Sequence, residues 1–69
     1  MDVLIINGRE KSFPDGIPPT LGELLDRLNI SQATVVAQLD GEVVARDKFA
    51  QTTLSSGQSV ELIRIMGGG

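Results

Sequence analysis

Sixty-nine residues, a formal net charge of −3 from nine acidic and six basic side chains, and a hydrophobic content of 41% describe one small acidic domain with an aliphatic core. The chain has no Cys and no His, which removes disulfides, thiolate or histidine zinc sites, the Cys/His pair and the Ser-His-Asp triad. Phe13 and Phe49 are the only aromatic residues, and an acidic chain this poor in stacking groups argues against a nucleic-acid surface.

Taken in order, Val3-Leu4-Ile5-Ile6 is apolar and largely β-branched and predicts a first strand. It is also as long as any unbroken apolar run in the chain, far short of a membrane span. Met1-Asp2 ahead of it lacks the basic start of a signal peptide, so a cytoplasmic location is the default expectation. Asn7-Gly8 follows, a pair that accepts φ > 0 at both positions and favours a two-residue type I′ hairpin turn. Arg9-Glu10-Lys11-Ser12-Phe13 returns as the second strand with its charges on a wet face. Pro14-Asp15-Gly16 is a turn, and Pro18-Pro19 cannot continue any ladder that needs an N–H.

Thr20-Leu21-Gly22-Glu23 reads as a capping box. The threonine oxygen accepts from a first-turn N–H, and Glu23 reaches back to the cap. Leu21, Leu24, Leu25 and Leu28 recur at i, i+3, i+4 and i+7, a single stripe that belongs in a core. Glu23, Asp26 and Arg27 take the outer face, and Asn29 suits the left-handed position after the helix. A helix with one dry face lies across a sheet.

Val35–Leu39 predicts a third strand, and Asp40-Gly41 a second tight hairpin into Glu42-Val43-Val44-Ala45. Arg46-Asp47-Lys48-Phe49-Ala50 is long enough for one helical turn, with Phe49 folded inward as an anchor. After a turn at Ser55-Ser56-Gly57-Gln58, residues 59–66 predict the last strand. Its two faces differ: Val60 and Leu62 on one, Ile63 and Ile65 on the other. The order strand, strand, helix, strand, strand, strand, with a last strand long enough to lie centrally, is the β-grasp arrangement. The expected fold is therefore α+β, a mixed sheet of four to five strands with one main helix across it, over residues 1–66.

Residues 67–69 form a glycine tail running straight out of that strand. Glycine lacks a Cβ and does not hold one conformation by itself. Three extended residues reach about 10 Å, enough to carry a terminal carboxylate clear of the domain and thread it into a narrow channel. The ordinary alternative is a frayed chain end. The nine carboxylates are scattered over turns and solvent faces, and no spacing among them suggests an acid/base pair; a stand-alone enzyme is not expected.

Three pieces of the chain carry a resemblance: Thr20-Leu21-Gly22-Glu23-Leu24-Leu25, Asp40-Gly41-Glu42-Val43-Val44-Ala45-Arg46, and the end Gly67-Gly68-Gly69. Over essentially its whole length the chain resembles the ThiS-type sulfur carriers of thiazole formation in thiamine biosynthesis, which are ubiquitin-like β-grasp proteins. It departs from their pattern at Asp40, usually Asn, and Ala45, usually Pro. The resemblance implies that an E1-like, ThiF-type enzyme adenylates the Gly69 carboxylate with ATP and magnesium, with no cofactor held permanently by the carrier. A sulfur donor protein then makes the thiocarboxylate, and a ThiG-type thiazole synthase consumes that sulfur. Gly67 and Gly68 would thread the partner's channel. The rival readings are a MoaD-like carrier for molybdopterin, a ubiquitin-like modifier that joins Gly69 to lysines, and a β-grasp module that only docks.

A helix covers one face of a sheet. If Val60 and Leu62 take the covered face, Ile63 and Ile65 are left on the open one, with Arg64 and Met66 continuing the other row. These four residues are the expected partner-binding patch, unless crossing loops cover the isoleucines.

Overall fold

The computed structural model describes residues 2–65. Two hairpins and a central strand build its sheet. β1 (Asp2–Ile6) and β2 (Arg9–Phe13) pair antiparallel, with Val3 opposite Ser12 and Ile5 opposite Glu10. β3 (Val35–Leu39) and β4 (Glu42–Val44) form the second hairpin, with Ala37 opposite Val44. β5 (Ser59–Arg64) lies between them, parallel to β1 and antiparallel to β3, so the order is β2-β1-β5-β3-β4. This is the α+β, β-grasp arrangement that the order of elements predicts.

Both hairpin turns owe their shape to an Asx-Gly pair. Asn7 and Gly8 have φ of 51° and 81°, Asp40 and Gly41 of 50° and 87°. Two successive positive φ values match the right-handed twist of the strands they join, which fixes the registers quoted above.

The helix α1 (Leu21–Arg27) crosses one face of this sheet. It is seven residues long, too short to persist alone, and its ends are both closed. Thr20 Oγ1 accepts from Glu23 N–H at 3.3 Å. The return bond from Glu23, which would complete a capping box, is absent from the described residues, so only half of the box forms. At the other end Asn29, φ 58°, donates to Asp26 C=O and Ile30 to Leu25 C=O, the paired bonds of a Schellman motif. Leu21, Leu24 and Leu25 are fully buried, and Leu28, at the cap, packs on the core from its margin.

Two short 3-10 helices complete the covered side. Gln32–Thr34, which no apolar period announces, leads into β3. Arg46–Gln51 is longer than the single turn expected, ends β4 at Val44, and inserts Phe49 at 1% exposure. Leu4, Phe13, Val35, Ala37, Leu54, Val60 and Leu62 close the core around Phe49 and the helix leucines.

The last strand is shorter than its sequence suggests. β5 ends at Arg64, not Met66, although Ile65 N–H still donates to Thr34 C=O at 2.8 Å. Arg64 is paired with Val35, the first residue of β3, so the ladder stops because its partner has not yet begun.

Candidate functional site at the C-terminal strand

Alternation along β5 separates two rows. Val60 and Leu62 face the helix and are buried, and Arg64 follows them on that side, exposed, past the edge of the core. Ser59, Glu61 and Ile63 face away, and Ile65 is next in that alternation. Ile63 is 51% and Ile65 52% exposed, so no loop covers them. Together with Val43 they are the exposed large hydrophobic residues of the described chain.

The surroundings of Ile63 follow from register. Val36 lies directly opposite it on β3 and is half-buried. In the next row Glu61 faces Gln38, which in turn faces Val43 on β4. One row further, Ser59 and Glu10 flank Ile5 on β1. The uncovered face of the sheet thus carries aliphatic surface at the end where the chain leaves β5, bordered by carboxylates. A surface of this make-up can dock an apolar partner.

Of the sequence-predicted site residues, Ile63, Arg64 and Ile65 are placed as described. Met66, Gly67, Gly68 and Gly69 lie outside the described residues. Among the described residues no three Asp, Glu, His or Cys side chains are grouped to hold a metal ion. No helix among the described residues is long and apolar enough to cross a membrane. On the helical side an open groove of about 360 Å³ runs between Thr20, Gly22, Glu23, Asp26, Gln32 and Ala50. No described buried side-chain N or O lacks a partner, so nothing unpaired is aimed into it.

Two contacts that sequence reasoning missed grip β5 from the hairpin turns. Asp40 Oδ1 accepts from Ser59 N–H at 3.0 Å, and Asp40 Oδ2 from Gln58 Nε2 at 3.2 Å, at the strand's start. Asn7 exchanges two hydrogen bonds with the main chain of Leu62 further along. Their turn role was visible in the Asx-Gly pairs; their grip on a distant strand was not.

The sequence matches the model of the ThiS family over residues 4–69. The chain belongs to the ThiS family. The match runs from the first strand through the last glycine. Solved structures agree. The crystal structure of the thiamine biosynthesis protein ThiS from Geobacter metallireducens is 37% identical, with a TM-score of 0.82 over 97% of this chain and 99% of that one. A solution NMR structure of a thiamine biosynthesis protein from the same organism, also 37% identical, gives a TM-score of 0.80 over 100% of this chain and 88% of the other. The chain is also 30% identical over 66 residues to a thiazole synthase of Paramagnetospirillum magneticum, an alignment that takes in 96% of this chain. The chain spans only about a fifth of the length of that curated relative, 20%.

Proposed function

We propose that this chain is a sulfur carrier for thiazole formation in thiamine biosynthesis, a co-substrate of partner enzymes and not itself an enzyme. The observation that carries the reading is the ThiS match extending through Gly69, so that the three glycines belong to the family pattern. A chain without Cys or His, whose exposed Ile63 and Ile65 come shortly before those glycines in sequence, suits a protein that is handled by others.

In this scheme the Gly69 carboxylate is the reacting group. A carboxylate is a poor electrophile; transfer of AMP from ATP, with loss of pyrophosphate, gives an acyl adenylate with a good leaving group. An E1-like, ThiF-type enzyme supplies that step with its own ATP and magnesium. Sulfur delivered at the sulfide level by a donor protein attacks the acyl carbon; the C–S bond forms as the C–O bond to AMP breaks, leaving a thiocarboxylate, which a ThiG-type thiazole synthase consumes. That a protein named thiazole synthase aligns with this chain over 66 residues supports that pairing. The carrier contributes position. Ile63 and Ile65 dock on the partner, and Gly67 and Gly68, without side chains, let the terminus pass through a narrow channel to the reacting phosphate.

Deleting Gly69 tests the scheme. The carboxylate retreats by about 3.5 Å, enough to miss an aligned phosphate, while the fold is untouched. The truncated chain should lose pyrophosphate exchange with the activating enzyme and keep its melting temperature. Undiminished exchange by the truncated chain rules the scheme out.

A further inference from the structure

β1 stops at Ile6, opposite Val60, but β5 runs on to Arg64. Up to that point the parallel ladder is regular: Ile5 N–H donates to Gln58 C=O and Asn7 N–H to Val60 C=O, both at 2.9 Å. The next rung would take Leu62 N–H to the main-chain carbonyl of Asn7. That carbonyl turns away, because Asn7 sits at φ 51° to open the hairpin. The side chain takes its place. Leu62 N–H donates to Asn7 Oδ1 at 2.8 Å, and Asn7 Nδ2 donates to Leu62 C=O at 3.3 Å. A carboxamide sets an acceptor oxygen beside an N–H donor, as the main chain does, so Asn7 adds a rung where β1 has no residue left to give.

Turn chemistry alone does not require an amide here, since Asn and Asp both accept positive φ. The other hairpin makes the point. Asp40, at the same turn position, meets two donors, Ser59 N–H and Gln58 Nε2, and a carboxylate suits it. Asn7 meets one donor and one acceptor, and there a carboxylate would set its charge against the Leu62 carbonyl. The residue type at each turn matches the groups it grips on β5. Leu62 immediately precedes Ile63 and lies seven residues before Gly69. Among the described residues, no β1 residue lies opposite Arg64. Asn7 is therefore the last anchor on the β1 side of β5.

We propose that Asn7 is a positioning residue: its side-chain amide clamps the end of β5 at Leu62 and so preorganises Ile63, Arg64 and Ile65 for a partner. The geometry stands by itself; only the consequence for a partner rests on the carrier reading. Two variants separate the parts. Asn7→Gly keeps the positive φ and removes the clamp. Asn7→Asp keeps the size and the acceptor but loses the donor. Amide hydrogen exchange at Leu62 should quicken roughly tenfold in Asn7→Gly, the scale of one net hydrogen bond, while Leu4 and Val60 exchange as in the parent chain. Asn7→Asp should show a smaller loss at neutral pH, because its carboxylate still accepts from Leu62 N–H and only its charge against Leu62 C=O opposes the clamp. Relative to the parent at equal pH, its Leu62 protection should return below about pH 4, as the protonated carboxyl regains a donor. With the activating enzyme, both variants at neutral pH should raise the KM for the carrier several-fold and leave kcat unchanged, because a frayed strand is reordered on binding. Unchanged Leu62 exchange in Asn7→Gly overturns the clamp; faster exchange with an unchanged KM reduces it to a structural contact. Should Asn7→Gly fail to fold, the pH series on Asn7→Asp decides. A parent chain that supports no pyrophosphate exchange sinks the carrier reading, and the clamp is then judged on Leu62 exchange alone.

Discussion

Gly22 stands in the middle of a leucine stripe with no role that the sequence announces. A Cβ built there would meet Gln32 Nε2 at 3.4 Å and the Phe49 backbone at 3.5 Å, so the helix crosses the longer 3-10 helix as closely as a methyl group allows. Two substitutions should part company. Gly22→Ala fits the space at ordinary contact distance and gains helix propensity, raising stability by about 0.5–1 kcal/mol. Gly22→Val drives a branched carbon into the Phe49 carbonyl and should cost more than about 1 kcal/mol. Urea denaturation of the two variants measures both signs; a destabilised alanine variant would mean that Phe49 has no room to give. The contrast with the turn residues is instructive. Asn7, Asn29 and Asp40 could be placed at special backbone positions from sequence, because positive φ selects for those side chains locally. What Gly22 approaches, and what the Asn7 amide grips across 55 residues of sequence, depends on chain segments that local pattern does not bring together.

Elements were legible where hydrophobic period is strong and illegible where a neighbour sets the boundary. The leucine stripe and the two Asx-Gly pairs gave α1 and both hairpins in place. The apolar run through Met66 suggested two more strand residues than β3 can pair, and strand length is a property of the ladder. The 3-10 helix Gln32–Thr34 has neither period nor length to reveal it. The 3-10 helix of Arg46–Gln51 matters to stability, because α1 is too short to hold itself and packs against it. Phe49 is its one buried residue. Phe49→Ala should cost about 3–5 kcal/mol, the usual penalty for deleting a buried ring. A domain of this length has roughly 3–10 kcal/mol in total, so a large share of the variant should be unfolded at room temperature. Circular dichroism with urea titration reads this directly. A midpoint close to that of the parent chain would show that the core refills the site, and that α1 does not depend on Phe49.

The described chain is a sheet with one dry face and one wet face, and β5, at its centre, is the strand that leads toward the C-terminal glycines. The dry side is complete: Val60 and Leu62 meet the helix, and Asp40 and Asn7 grip the strand from both flanking hairpins. Nothing in the fold requires aliphatic residues on the other side, yet Ile63 and Ile65 stand there half-exposed, with Val36 beside Ile63. Uncovered β-branched residues on a central strand are worth keeping if another molecule covers them. Ile63→Asp tests this with little disturbance to the core. The substitution loses the contact with Val36 and places a charge in water, which should change the melting temperature by only a few degrees. Binding should suffer more. An aspartate buried against an apolar partner is left without hydrogen bonds, and the loss of an interface anchor costs about 2 kcal/mol or more, some thirtyfold in affinity. Val43→Asp is the control: Val43 is 67% exposed on the same face, but lies on the edge strand two positions from β5, so its loss should weaken binding far less. Titration of each folded variant against the proposed activating enzyme and thiazole synthase gives the comparison. If Ile63→Asp unfolds the domain, Ile63 belongs to the core; if it folds and binds as the parent does, the partners meet another surface and only the terminus is shared.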